Sequence, residues 1–244
     1  MREVTSIVLA GGLGTRLRSI VADRPKVMAE VNGRPFLAYI LDQIAAAGMR
    51  RAILCVGYMS DYVQDYFSTD HAGVELVYSR EEELLGTAGA LRLAEPLVNT
   101  DSLCVMNGDS YCALDLPAFW SWHLQHDANV SMALVSAADT SRYGVVETDA
   151  ADRIVRFIEK KLGGGPGWIN AGIYLLPVAL VRKIPRARRV SLERDTLPNW
   201  IGKGMFGRRE EKKFIDIGTP ESYQDAAHFF ASGQAMDTEF DTKS

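Results

Sequence analysis

Val4-Thr-Ser-Ile-Val-Leu-Ala-Gly-Gly-Leu-Gly-Thr-Arg-Leu-Arg18 is the stretch that decides how this chain is read. Its apolar part, Ile7-Val8-Leu9-Ala10, is short, unbroken and rich in β-branched residues. Such a run predicts a strand buried on both faces of a parallel sheet. It breaks into Gly11-Gly12-Leu13-Gly14-Thr15-Arg16, where three glycines in four positions leave backbone N–H groups bare enough to approach an anion. Arg16 adds a forked, permanent charge suited to phosphate oxygens. Lys26 follows in Arg24-Pro25-Lys26, beside a proline that restricts the backbone. One stretch thus offers a phosphate cradle and two cations.

Two common glycine-loop chemistries do not fit it. The dinucleotide fingerprint needs a third glycine where Leu17 stands, and the second apolar run ends at Gly57-Tyr58 without an acid for a ribose. The P-loop needs Gly-Lys-Ser/Thr, a triplet absent from this sequence.

The formal net charge of −4, from 27 basic and 31 acidic residues, argues against bulk nucleic-acid or anionic-membrane partners. It leaves a phosphorylated ligand open, because local cations decide that. A chain of 244 residues buries a sizeable core without staples. Cys55, Cys104 and Cys112 cannot all pair and form no C-x-x-C; Cys55 and Cys104 sit in apolar runs and read as small core residues. Neither zinc nor a disulfide is expected. No signal peptide or membrane-length apolar stretch is read. The expectation is a reducing, cytoplasmic protein, monomer or homodimer.

Strand and helix patterns alternate through the first half. Residues 36–47 place Phe36, Leu37, Ile40, Leu41 and Ile44 on one helical face and stop at Gly48. Residues 51–56 read as a strand, 61–67 as a helix with Tyr62, Val63 and Tyr66 inward, and 74–78 as a strand. This alternation predicts right-handed crossovers and an α/β fold, a Rossmann-like, doubly wound, mostly parallel central sheet. Glu81-Glu82-Glu83 reads as a solvated acidic face. Leu85-Gly-Thr-Ala-Gly-Ala90 opens a helix to about residue 97. Its small residues let the chain pass close to something flat, or Thr87 simply caps the helix. Residues 102–106 read as a strand with Asn107-Gly108-Asp109 at its C-terminal end, where open α/β sheets bind ligands. An aspartate there is a magnesium candidate.

Residues 144–147 and 154–159 read as a β-hairpin, a small subregion grafted on the sheet. Arg186–Arg189 is a basic patch of no assigned meaning. Ser191-Leu-Glu-Arg-Asp195 has the form of a helix cap. Residues 214–217 deliver Asp216, and Thr219-Pro220 starts a last helix reaching about Phe230. Residues 1–231 are expected to form one domain, with halves of about 1–110 and 111–231, and residues 232–244 a disordered tail.

Leu9-Ala-Gly-Gly-Leu-Gly-Thr-Arg-Leu17 followed by Pro25-Lys26 resembles the signature of the sugar-phosphate nucleotidyltransferases, which make nucleotide sugars from a sugar 1-phosphate and a nucleoside triphosphate. Leu85-Gly-Thr-Ala-Gly89, Asn107-Gly-Asp109, Tyr143-Gly-Val-Val146, Glu159-Lys160, Asn170-Ala-Gly-Ile-Tyr174 and Asp216-Ile-Gly-Thr-Pro220 extend the likeness over about residues 4–230. The resemblance implies a set of roles. Leu9, Ala10, Gly11, Gly12, Gly14, Thr15 and Gly108 bind the nucleotide, with Gly86 and Thr87 at the base. Arg16 and Lys26 act on the phosphates. Asp109 and Asp216 are catalytic and ligate Mg²⁺. Lys160 holds the sugar phosphate, and Gly144, Glu159 and Asn170 hold sugar hydroxyls.

The stretch from Asp23 to Leu37 is most similar to the D-glycero-D-manno-heptose 1-phosphate guanylyltransferases. GTP and a heptose or manno-configured 1-phosphate are therefore expected. The alternatives are a thymidylyl-, uridylyl- or mannose-1-phosphate guanylyltransferase, and, in other classes, a catalytically silent nucleotide-sugar-binding module or a nicotinamide-dependent dehydrogenase. The dehydrogenase is disfavoured by Leu17, and the silent module by the presence of Lys26, Asp109 and Asp216.

Overall fold

The computed structural model describes residues 1–17, 20–158 and 164–237. Its first strand, β1 (Val4–Leu9), is buried from Val4 through Val8, as a run covered by two layers must be. The strands β2 (Glu30–Val31) and β3 (Arg34–Pro35) pair across Asn32-Gly33, both at positive φ, the turn this dipeptide favours. In α1 (Phe36–Ala46) the five expected apolar residues are fully buried. β4 (Arg51–Val56), α2 (Ser60–Phe67), β5 (Asp70–His71), β6 (Val74–Arg80), α3 (Gly86–Ala94) and β7 (Ser102–Asn107) complete the first half.

The centre of the ten-stranded sheet is the parallel set β7-β1-β4-β6. In β1, Val8 belongs to the core under α1 and α2, while its neighbour Ile7 belongs to the core under α3. That alternation is the strand period of two acting across a doubly wound sheet.

The second half comprises β8 (Ser110–Cys112), α4 (Leu116–Gln125), β9 (Val130–Ala137), β10 (Val145–Thr148), β11 (Ile154–Ile158), β12 (Gly167–Pro177), α5 (Val178–Val181), β13 (Met205–Glu210), β14 (Phe214–Asp216) and α6 (Pro220–Asp237). β10 and β11 form the expected antiparallel hairpin. β12 runs antiparallel to β7, to β10 and to β9, with a register shift between Asn170 and Tyr174. The small β8–β14 ladder sets Asp216 opposite Ser110.

Two expectations are corrected. In α2 the buried residues are Val63 and Phe67, four apart on one face, while Tyr62 and Tyr66 are exposed. Tyr62 lies beneath the Arg24 guanidinium, 5.9 Å from ring centroid to Cζ. α6 continues past Phe230 to Asp237, so residues 232–237 are helical. They include Ala, Gln and Met and no proline, and extending an existing helix is far easier than starting one. Residues 238–244 lie outside the described residues.

Gly108 joins the two strand ends that the rest of the cleft depends on. Its N–H donates to the Leu9 carbonyl at 3.0 Å, and a Cβ there would lie 2.9 Å from that oxygen and 3.2 Å from Val27 Cγ1. Gly108→Ala is expected to lower the unfolding free energy by about 1–3 kcal/mol in urea titrations; an unchanged midpoint and slope would show that the contact is slack.

Candidate active site

Among the described residues the glycine loop runs into a turn at residues 15–17. Leu17 N–H donates to Gly14 O at 2.9 Å and Val21 N–H to Leu17 O at 2.9 Å, and the buried Leu17 pins the turn to the core. The loop N–H groups and the side-chain cations beside them are the groups here that could meet an anion. Pro25 precedes one 3₁₀ turn, Lys26–Met28, whose Val27 and Met28 are buried. That anchoring holds the Lys26 stem in the wall, with its side chain only 10% exposed.

A cleft of about 510 Å³ opens between this loop and α3, a size suited to a nucleotide-scale ligand. Leu9, Ala10, Gly11, Gly12, Gly14, Thr15, Arg16, Lys26, Gly86, Thr87 and Asp109 all line it. A Cβ on Gly12 would meet nothing within 4 Å, so that position is open for a ligand to approach the backbone. Gly108 is buried at the β1–β7 contact. Gly144, Asn170 and Asp216 stand off the cleft lining, and Glu159 and Lys160 lie outside the described residues.

Lys26 Nζ donates to Asp109 Oδ2 at 2.8 Å. Burial alone would raise the Asp109 carboxyl, but the charge and hydrogen bond of Lys26, helped by Arg16, hold it below its ordinary value. Ile217 N–H donates to Asp109 O at 2.9 Å, which ties the backbone beside Asp216 to that of Asp109. The Asp216 carboxylate accepts from Arg142 Nη2 at 3.0 and 3.1 Å, from the Tyr143 hydroxyl at 2.6 Å and from Gly218 N–H at 2.7 Å. Burial first, and then donation to Asp216, push the Tyr143 hydroxyl up, so it stays protonated as the donor.

Several cleft groups were not legible as such. Glu81 reads as part of a solvated run, yet it lines the cleft. Its N–H donates to Val56 O at 2.9 Å and its Oε2 accepts from Leu85 N–H at 2.9 Å. Burial raises its pKa. The signal that could have found it is position, since it directly follows β6 at the C-terminal edge of the sheet. Arg189, from the unassigned basic patch, also lines the cleft, as does Leu84. Asn170 uses both ends of its amide in the β12 irregularity: Oδ1 accepts from Gly172 N–H at 2.9 Å and Nδ2 donates to Tyr174 Oη at 2.6 Å. Thr87 does not cap α3, whose N-cap residue is Leu85.

A family model described as nucleotidyl transferase matches residues 5–233. The chain is 35% identical over 225 residues to mannose-1-phosphate guanylyltransferase of Mycobacterium tuberculosis, an alignment covering 91% of this chain and 63% of that protein. It is 34% identical over 222 residues to D-glycero-alpha-D-manno-heptose 1-phosphate guanylyltransferase of Aneurinibacillus thermoaerophilus, covering 91% of this chain and 96% of that protein. The crystal structure of HddC from Yersinia pseudotuberculosis complexed with GMP-PN matches with a TM-score of 0.82 and 33% identity, over 93% of this chain and 99% of that one.

The raised Glu81 pKa has a stability consequence of definite sign. In the folded state the ionised form is disfavoured, so a destabilising contribution is fully present above the raised value. It fades as pH falls through that value and is gone below the ordinary glutamate pKa of about 4.3. Glu81→Gln is therefore expected to have a higher Tm than the parent at pH 8, with the gap closing towards pH 4. A gap independent of pH would contradict the burial of this charge.

Proposed function

The chain belongs to the nucleotidyl transferase family, and from that premise we propose that it transfers a guanylyl group from GTP to a manno-configured sugar 1-phosphate, D-glycero-D-manno-heptose 1-phosphate foremost, releasing pyrophosphate. The observation that carries the base assignment is the Glu81 carboxylate in the cleft. Guanine presents two donors along one edge, N1–H and the 2-amino group, and a carboxylate accepts both. Uracil and thymine offer one N–H flanked by carbonyls, which would set acceptor against acceptor. The names of the relatives and the GMP-PN bound to HddC support the same base. The heptose reading is supported by the fuller match, 96% of the heptose enzyme against 63% of the mannose enzyme.

In the reaction, an oxygen of the sugar 1-phosphate attacks the α-phosphorus of GTP. A new P–O bond forms as the bond from that phosphorus to the oxygen bridging to the β-phosphate breaks, and its electron pair leaves on pyrophosphate. A sugar phosphate is already largely dianionic near pH 7, so no general base is required. The difficulty lies in bringing two polyanions together and stabilising charge on the transferring group. The loop N–H groups and Arg16 hold the triphosphate. Lys26 passes from Asp109 to the reacting phosphates, and Arg189 meets phosphate oxygens from the opposite wall. On the sugar side, Lys160 takes the phosphate, and Gly144, Glu159 and Asn170 take hydroxyls; Gly144 O accepts from Asn170 N–H at 3.0 Å, which puts those two together.

Among the described residues no group of three or more His, Cys, Asp and Glu forms a metal site. Mg²⁺ needs less, one or two carboxylates with phosphate oxygens and water. Asp109 in the cleft fits that donor chemistry, and Asp216 fits once Arg142 lets go of it. Bound there, the ion would neutralise charge across the phosphates. We place the enzyme in the cytoplasm, a setting suited to the free, buried Cys55, Cys104 and Cys112.

Pyrophosphate release, measured for four triphosphates against heptose, mannose, glucose and N-acetylglucosamine 1-phosphates, should give the highest kcat/KM with GTP and a manno-configured sugar. A preference for UTP or dTTP of about tenfold or more would overturn the guanylyl assignment. Glu81→Gln should narrow the discrimination of GTP over ITP, which lacks the 2-amino group, by about tenfold. Asp109→Asn should lower kcat by about a hundredfold or more with the fold intact by circular dichroism; near-parental turnover at saturating magnesium would remove Asp109 from the phosphate machinery.

A further inference from the structure

The small residues that open α3 face a piece of the protein itself. Residues 188–192 run across its first turn. A Cβ on Gly86 would meet Val190 O at 2.6 Å, and one on Gly89 would meet Arg188 O at 2.9 Å. Gly86 also holds a φ of +72°, which glycine adopts without strain. Val190 is bonded on both sides: its N–H donates to Leu85 O at 2.8 Å, and its carbonyl accepts from Ala88 N–H at 3.0 Å and Gly89 N–H at 3.3 Å. The Ala88 amide is one of the first four of the helix, which have no intrahelical partner. The crossing segment thus satisfies a donor that an N-cap side chain would otherwise take, and Leu85 offers no such side chain.

A polar clasp closes the crossing. Thr87 Oγ1 donates to Glu193 Oε2 at 2.8 Å and accepts from Leu192 N–H at 2.7 Å, and Ser191 Oγ donates to the same Glu193 oxygen at 3.0 Å. Arg189 lies next to Val190 in the chain, exposed and lining the cleft, with no ion pair among the described residues. An arginine on a free loop gives up conformational entropy when it meets a phosphate; one whose neighbouring backbone is already fixed gives up less. We infer that Thr87 and Glu193 are positioning residues, which clamp the segment 188–192 onto α3 and so hold Arg189 towards the phosphates. This rests on the reading of Arg189 as a substrate contact given above.

Thr87→Val preserves shape and removes both hydroxyl bonds; Glu193→Ala removes the partner from the other side. Two measurements test the role. Under native conditions trypsin should cut after Arg186, Arg188 or Arg189 about fivefold or more faster in both variants, with far-UV dichroism unchanged, and Thr87→Ser should restore the parental rate. In a double-mutant cycle, Thr87→Val should lower kcat/KM about tenfold alone but less than about twofold when Arg189→Ala is already present. Unchanged cleavage, or an equal loss in both backgrounds, overturns the clasp while leaving Arg189 as a substrate contact. Full kcat/KM in Arg189→Ala overturns the assignment of Arg189 itself, and the positioning role falls with it.

Discussion

Leu9, Cys55 and Asn107 sit side by side because neighbouring parallel strands run in register, and the glycine loop, Asp109 and Glu81 hang from that level edge. Three main-chain bonds finish it: Ala10 N–H to Cys55 O at 2.8 Å, Gly108 N–H to Leu9 O at 3.0 Å and Glu81 N–H to Val56 O at 2.9 Å. Each ties a departing loop to the adjacent strand just before the loop leaves the sheet. Residues from three distant stretches of chain thereby arrive at one height with little freedom. The phosphate loop, the Asn107-Gly108-Asp109 corner and Glu81 are products of the same ladder.

The charges on this edge are arranged in two ways. Asp109 is paired with Lys26 and Asp216 with Arg142, whereas Arg16 and Arg189 line the cleft as exposed cations. On the proposed function, an arriving polyanion would meet the exposed pair directly and would have to draw Lys26 away from Asp109. A cation taking Asp109 would release Lys26 for the anion, so the two binding events favour each other through a shared ion pair.

Local pattern carried much of the fold. The strand Arg51–Val56 and the helix Phe36–Ala46 appear close to the bounds their apolar patterns suggest, because burial on both faces or on one stripe is written in consecutive residues. That the glycine loop and Asp109 share one cleft was legible for a related reason: polar residues and glycines directly after an apolar strand stand at the C-terminal edge of the sheet. What was hidden depends on distant neighbours. Glu81 is masked by Glu82 and Glu83, and only the observed extent of β6 places it at the edge. Gly86 and Gly89 announce a close approach without saying to what; the partners, Val190 and Arg188, lie about a hundred residues further along the chain. The tyrosines of α2 misled because Val63 and Phe67 form an equally good stripe one residue along.

β12 touches β10 near its start and β7 towards its end, with the register shift between. Along its other edge β9 pairs on both sides of that shift, splinting the one place where the strand is irregular. A rotation of the hairpin side against the parallel centre would have to shear this doubly supported strand and break main-chain bonds in the middle of a sheet. The hairpin side and the parallel centre are therefore joined as one frame, unlike the paired lobes of a hinged enzyme. Motion at the cleft in such a frame belongs to the loops and side chains that line it, not to the sheet beneath.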